Sequence, residues 1–117
     1  MKRILFVLAL LAAAAFISGC TDYQSPGEAQ PPEEIETTDV TMQNYRFLPQ
    51  DIRVSAGDTV TWTNNDKTAH NVVADNGDFD SGEISPDGTF NYTFEEPGLF
   101  NYSCTIHPGM IGSVTVE

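Results

Sequence analysis

The stretch FNYSCTIHPGMIGSVTVE, residues 100–117, holds a thiol, an imidazole and a thioether (Cys104, His107 and Met110) within seven residues of an alternating pattern. Phe100, Tyr102 and Cys104 fall on one side of an extended strand, because successive side chains point to opposite faces. Pro108 and Gly109 then interrupt the run, and GSVTVE resumes the alternation. The pattern is strand, tight turn, strand. The turn can carry His107 and Met110 back toward the sulfur at the end of the first strand.

The segments upstream have the same character. DVTMQNYRF, DIRVSAG, DTVTWTN, HNVVAD, TFNYTFEEPG and LFNYSC are short runs rich in Val, Thr, Phe and Tyr. AGD, NND, DNGD, SPDG, EPG and HPG separate them with turn chemistry. No helical period and no internal repeat occurs in this part of the chain. Seven to eight strands in about 80 residues predict an all-β Greek-key sandwich, with Val60 and Trp62 sharing one inward face.

The first 37 residues read differently. MKRILFVLALLAAAAFISGC has a basic start at Lys2 and Arg3 and an apolar run too short for the ~20 residues of a spanning helix. It is a signal peptide, and its ISGC ending resembles the lipobox of prokaryotic lipoproteins. That resemblance implies cleavage after residue 19 and a lipid on Cys20, against the alternative of an ordinary secretory signal with an incidental cysteine. Residues 20–37, rich in Pro, Glu and Gln and poor in large apolar side chains, form a disordered tether by composition. The folded domain is expected over 38–117. The resulting localisation is the extracytoplasmic face of a prokaryotic membrane, with the chain anchored through its lipid.

Charge and cysteine content narrow the function. The formal charge of −12 becomes −14 when Lys2 and Arg3 are removed, leaving Arg46, Arg53 and Lys67 against 17 acids. Nucleic acid is excluded as a partner by phosphate repulsion. The acidity serves either solubility or steering toward a basic partner surface. Of the two cysteines, Cys20 is committed to lipid, so Cys104 has no disulfide partner and needs another reason to exist.

The second of the two histidines, His70, stands at the start of a strand after the polar loop NNDKTA. Taken singly, His70 could be a capping residue, Met110 a core filler and Cys104 a small buried hydrophobe. Together they are one thiolate, two imidazoles and one thioether, the known donor set of blue-copper electron-transfer sites. Soft sulfur favours Cu(I), and imidazole satisfies both oxidation states.

GDTVTWTNND, AHNVV, FDSGEISPDGTFNYTF and FNYSCTIHPGMIGSVTV together resemble a cupredoxin of the plastocyanin/amicyanin type over nearly all of 38–117. The resemblance implies one copper ion held by His70, Cys104, His107 and an axial Met110. It implies an Asn71 backbone N–H aimed at the sulfur and an Asn71 side chain bracing the ligand loop near Thr105. It also implies that His107 is the electron exit, with Pro108, Ile111 and Phe47 as rim residues. One departure stands out. Family members commonly carry proline two residues after the ligand cysteine, and this chain has Ile106 there, whose N–H could supply a second hydrogen bond to sulfur.

The function implied is one-electron transfer by a membrane-tethered monomer that serves redox proteins, a cytochrome or a membrane electron-transfer complex. Copper storage or delivery is the alternative. A copper enzyme is disfavoured because further histidine-rich centres would be needed and both histidines are already used. A metal-free sandwich would leave Cys104 unexplained.

Overall fold

The computed structural model describes residues 33–117, so Cys20 and most of the expected tether lie outside the described residues. Nine strands form: β1 (Ile35–Glu36), β2 (Asp39–Gln43), β3 (Arg46–Leu48), β4 (Asp51–Val54), β5 (Asp58–Asn64), β6 (Val73–Ala74), β7 (Thr89–Phe94), β8 (Gly98–Ser103) and β9 (Ile111–Val116). They lie in two mixed sheets, ordered β1-β4-β9-β8-β6 and β3-β2-β5-β7, with no helix among the described residues. This is the all-β sandwich that the alternation predicts.

Both sheets contribute to one core. Val40, Met42, Phe47, Val60, Trp62 and Phe94 come from the second sheet, and Ile52, Val54, Tyr102, Val114 and Val116 from the first. Trp62 is fully buried in the middle of β5, edge-on to Tyr102 at 5.5 Å. Burial of side chains this large contributes roughly 1.5–3 kcal/mol each. Period-two patterning converts directly into a face here: β5 alternates between buried Val60, Trp62 and Asn64 and the more exposed threonines between them.

Three differences from the sequence reading bear on the site. The run DVTMQNYRF is not one strand but the antiparallel pair β2 and β3, turning at Asn44 and Tyr45. Both turn residues have positive φ, 56° and 61°, the backbone twist that a tight hairpin requires. The run HNVVAD shrinks to two residues of β6, while His70 makes an isolated antiparallel bridge to Ile84. The tether was expected to reach residue 37. Instead Ile35 and Glu36 pair in parallel with Ile52 and Arg53, and Glu34 faces Arg53 at 3.6 Å. Charge pairing and an open edge on β4 hold a segment whose composition alone reads as disordered.

One close approach in this frame needs glycine. A Cβ on Gly112 would lie 2.5 Å from the Tyr102 ring carbon Cζ and hydroxyl, and 2.9 Å from the Gln50 carbonyl oxygen. Gly112 sits opposite Tyr102 in the β8–β9 register, so the missing side chain makes room for the phenol. Burial pushes the Tyr102 hydroxyl well above the ordinary tyrosine range, and the ring stays protonated beneath the loop that follows β8.

Candidate metal centre

Ser103 pairs with Ile111 at the end of the β8–β9 hairpin, so Cys104 to Met110 is the hairpin's loop. The Cys104 N–H donates to the Met110 carbonyl at 2.9 Å, and the Met110 N–H donates to the His107 carbonyl at 3.3 Å. Gly109, at φ 89°, takes the left-handed conformation inside this turn. The loop therefore folds back on itself, with Cys104 and Met110 buried and His107 half-buried between them.

His70 arrives from the other side. Its N–H donates to the Ile84 carbonyl at 3.1 Å and its carbonyl accepts from the Ile84 N–H at 2.7 Å, so its backbone is fixed on both sides. The ring is fully buried, and its Nε2–H donates to Asp66 Oδ2 at 2.8 Å. A proton on Nε2 leaves the lone pair of the neutral ring on Nδ1, facing the loop.

Three donor atoms converge there. His70 Nδ1 lies 3.1 Å from His107 Nδ1, and Cys104 Sγ lies 3.8 Å and 3.6 Å from those two nitrogens. The circumradius of a triangle with these sides is about 2.0 Å, so one central point is that far from all three atoms. Metal–nitrogen bonds of about 2.0–2.1 Å and metal–sulfur bonds of about 2.3 Å are typical for a first-row ion. A shared proton can bridge only two of these three atoms at a time, whereas one metal ion can accept a lone pair from each. The residues fit a soft-to-borderline metal ion. Met110 ends the same loop with its side chain buried, 2% exposed.

The bracing expected from Asn71 is present as a reciprocal pair. Asn71 Nδ2 donates to Thr105 Oγ1 at 2.8 Å, and the Thr105 N–H donates to Asn71 Oδ1 at 2.8 Å. These two bonds tie the His70 segment to the cysteine loop. The hydrogen-bond contacts of the sulfur are the two imidazole nitrogens, and neither the Asn71 nor the Ile106 backbone N–H is among them. Ile106 itself is 44% exposed.

Two residues that the sequence reading passed over complete the site. Asp66 receives His70 Nε2–H and also the backbone N–H groups of Asn44 at 2.7 Å and Tyr45 at 3.0 Å. Burial alone would raise its pKa, but the Tyr45 N–H, the His70 ring and the Asn44 N–H together outweigh it and hold the carboxyl below the usual range. The Asp66 N–H in turn donates to Asn64 Oδ1, and Asn64 Nδ2 donates to the Thr68 and Ile84 carbonyls. The signal for Asp66 was its place four residues before His70, since ligand histidines usually give their second N–H to a carboxylate or carbonyl.

Tyr45 is the other. Its ring meets both imidazoles edge-on, at 5.6 Å from His70 and 4.8 Å from His107, and its hydroxyl bonds Thr68 Oγ1 at 3.0 Å. Phe47, expected on the rim, is instead 1% exposed and packed against Tyr102 at 4.8 Å. The turn at Asn44–Tyr45 restarts the alternation, which sends Phe47 inward and leaves Tyr45 at the surface. Pro108 and Ile111 are exposed as expected, Ile111 to 54%.

Known proteins are similar to this chain in sequence and fold. Residues 34–117 match the model of copper-binding proteins of the plastocyanin/azurin family. Amicyanin-alpha of Methylorubrum extorquens is 32% identical across the whole of both chains. Halocyanin of Natronomonas pharaonis is 39% identical over 73% of this chain and 56% of its own. Among solved structures, a purple cupredoxin from Nitrosopumilus maritimus superposes with a TM-score of 0.64 at 32% identity, covering 69% of this chain and all of its own. A copper-containing nitrite reductase from Thermus scotoductus gives the same TM-score at 24% identity over a quarter of its length, a likeness of fold alone. The family binds one copper, and His70, Cys104 and His107 can form its ligand site. The chain belongs to the plastocyanin/azurin family of copper-binding proteins and is a cupredoxin.

Proposed function

We propose that the protein is a one-electron carrier of the extracytoplasmic membrane face, tethered by a lipid on Cys20 and holding a type 1 copper centre. Copper-based electron transfer is the activity to which the family membership points. When bound, copper supplies a couple between Cu(I) and Cu(II) at fixed protein geometry. The observation that carries the reading is the triangle of His70 Nδ1, His107 Nδ1 and Cys104 Sγ, whose central point suits a metal ion about 2.0 Å from each donor.

The chain's own residues favour this couple in three ways. Asp66 fixes the tautomer and orientation of His70, and a carboxylate partner raises the basicity of a ligand imidazole. The Asn71–Thr105 pair and the β6–β8 pairing hold the two ligand-bearing segments at constant separation, which keeps reorganisation small when an electron moves. Met110, buried in the same loop, would offer the ion a weak thioether contact, which would tune potential more than affinity. His107, half-buried while the other three proposed ligands are buried, is the electron exit.

A carrier accounts for the site better than the alternatives do. Both histidines of the chain sit in one cluster, leaving no imidazole for a second catalytic copper. Burial of His70 and Cys104 suits retention of the ion better than the open, exchangeable site of a storage or delivery protein. The Ile106 N–H remains the candidate for an added hydrogen bond to the thiolate in the loaded protein, which would raise the potential.

Stopped-flow mixing of the oxidised, copper-loaded chain with the organism's own membranes tests the function. Rapid bleaching that saturates at one electron per protein is expected; reduction no faster than by the buffer's reductant alone contradicts a carrier. Fractionation tests the tether: Cys20→Ser is expected to move the protein from membranes to the soluble extracytoplasmic fraction, and unchanged membrane retention contradicts lipidation.

A further inference from the structure

The overall acidity of the chain points toward a basic partner, but the exposed, unpaired charges beside Tyr45 have the opposite sign. Among the described residues there are three cations. Arg53 is held by Glu34 at 3.6 Å and Glu117 at 3.8 Å, at the end of β4. Arg46 and Lys67 form no ion pair among the described residues, and both are exposed. They flank the same side chain: one shallow groove joins Tyr45 and Arg46 to Gly109, Met110 and Ile111, and a second joins Tyr45 to Lys67 and Thr68. Asp66 is the one acid lining either groove, and three N–H donors already occupy its carboxylate.

Tyr45 itself is 51% exposed, yet its ring is in edge contact with both ligand imidazoles. Its hydroxyl is anchored to Thr68, and its backbone is held at positive φ by Asp66, so the ring is a fixed surface feature and not a swinging one. An aromatic ridge with free cations on two sides, next to the half-buried His107, is a surface built to meet negative charge around an apolar contact.

We propose that this ridge, Tyr45 between Arg46 and Lys67, is the docking surface for a redox partner whose rim around its own redox group is acidic. The proposal rests on the carrier reading. The net charge of the chain does not oppose it at short range, because charges farther than about 8 Å are screened at physiological ionic strength and the nearest groups dominate the encounter. The distant acids then repel such a partner from other faces and orient it.

Hexacyanoferrate(III) and tris(phenanthroline)cobalt(III) serve as anionic and cationic one-electron probes; each takes one electron from the Cu(I) form and leaves Cu(II), with no proton moved. Arg46→Gln with Lys67→Gln makes the charge more negative by two. Ile35→Glu with Leu99→Glu does the same at exposed positions on the other sheet. The Arg46/Lys67 pair is expected to slow oxidation by hexacyanoferrate(III) about tenfold at moderate salt, and to speed oxidation by the cobalt complex. The distant pair is expected to change either rate less than about twofold. Equal effects of the two double variants would overturn the proposal, as would no effect of the first.

A binding readout separates this proposal from the carrier reading. Paramagnetic, redox-inert hexacyanochromate(III), added to the Cu(I)-loaded full chain, is expected to broaden the amide resonances of Tyr45, Lys67 and Gly109, and to lose that effect in the Arg46→Gln, Lys67→Gln variant. Broadening elsewhere, or none, overturns the docking surface. Failure of the unmodified chain to exchange electrons with either probe overturns the carrier reading and leaves the broadening map to decide the surface.

Discussion

The two segments that build the metal centre are held in different ways. The Cys104–Met110 loop is closed by its own backbone bonds and by the register of the two strands it joins. The His70 segment has one isolated bridge to Ile84 and the short β6–β8 pairing beyond it, and it leans on side chains from elsewhere: Asp66 on its ring, Asn64 under the preceding loop, and Asn71 across to Thr105. One half of the site is local and the other is tertiary. A ligand loop of the first kind survives changes around it, whereas a ligand of the second kind is only as well placed as its supports.

Removing a donor from the local half has the largest effect. Cys104→Ser is expected to abolish the intense visible band of the copper-loaded chain while far-ultraviolet circular dichroism of the apo protein stays that of a β-sandwich. Retention of the band would remove the thiolate from the site. Removing a support from the tertiary half should weaken the site without erasing it. Asp66→Ala is expected to lower copper affinity about 10–100-fold, the usual cost of losing a histidine's outer partner. Competition against a chelator of known affinity measures this, and an unchanged affinity would make the carboxylate a brace for the β2–β3 turn alone.

Beneath the local half, the fit of Tyr102 against Gly112 gives a smaller, purely structural effect. Gly112→Ala is expected to cost about 1–3 kcal/mol of unfolding free energy, because the added methyl meets the phenol and a backbone oxygen at once. Denaturant unfolding of the apo chain reads it out, and a loss under 0.5 kcal/mol would mean that the ring shifts freely. The smallest effect belongs to Tyr102→Phe. The hydroxyl is buried with no hydrogen-bond partner among the described residues, so its removal is expected to change stability by less than about 1 kcal/mol. A larger loss would reveal a bond to the hydroxyl in solution.

The same contrast explains what could be read without coordinates. The sandwich was legible because β2 and β5 alternate cleanly, and three of the four proposed ligands lie in one hairpin loop marked by Pro108 and Gly109. His70 was recoverable as the one histidine left over. Asn71 and Thr105 came from a family resemblance and then proved to be mutual partners, 34 residues apart in sequence. Asp66 was missed because its spacing of four from His70 went unread, and Tyr45 for a physical reason. A turn with two left-handed residues, neither of them glycine, has no strong local signal, because an outside carboxylate stabilises it. The same hidden turn put Phe47 in the core. The paired Ile35–Glu36 was missed because its stability comes from an edge offered by β4, which composition cannot show.

The central claim is that these two segments converge on a single copper ion held by thiolate and two imidazoles, able to pass one electron. Titrating the full apo chain with Cu(II), while following the visible spectrum, tests it most directly. The account predicts an intense band that rises linearly to one equivalent of copper, stops there, bleaches on addition of one electron and returns on reoxidation. A colourless complex, a band that continues to grow beyond one equivalent, or copper that is lost on reduction would contradict it.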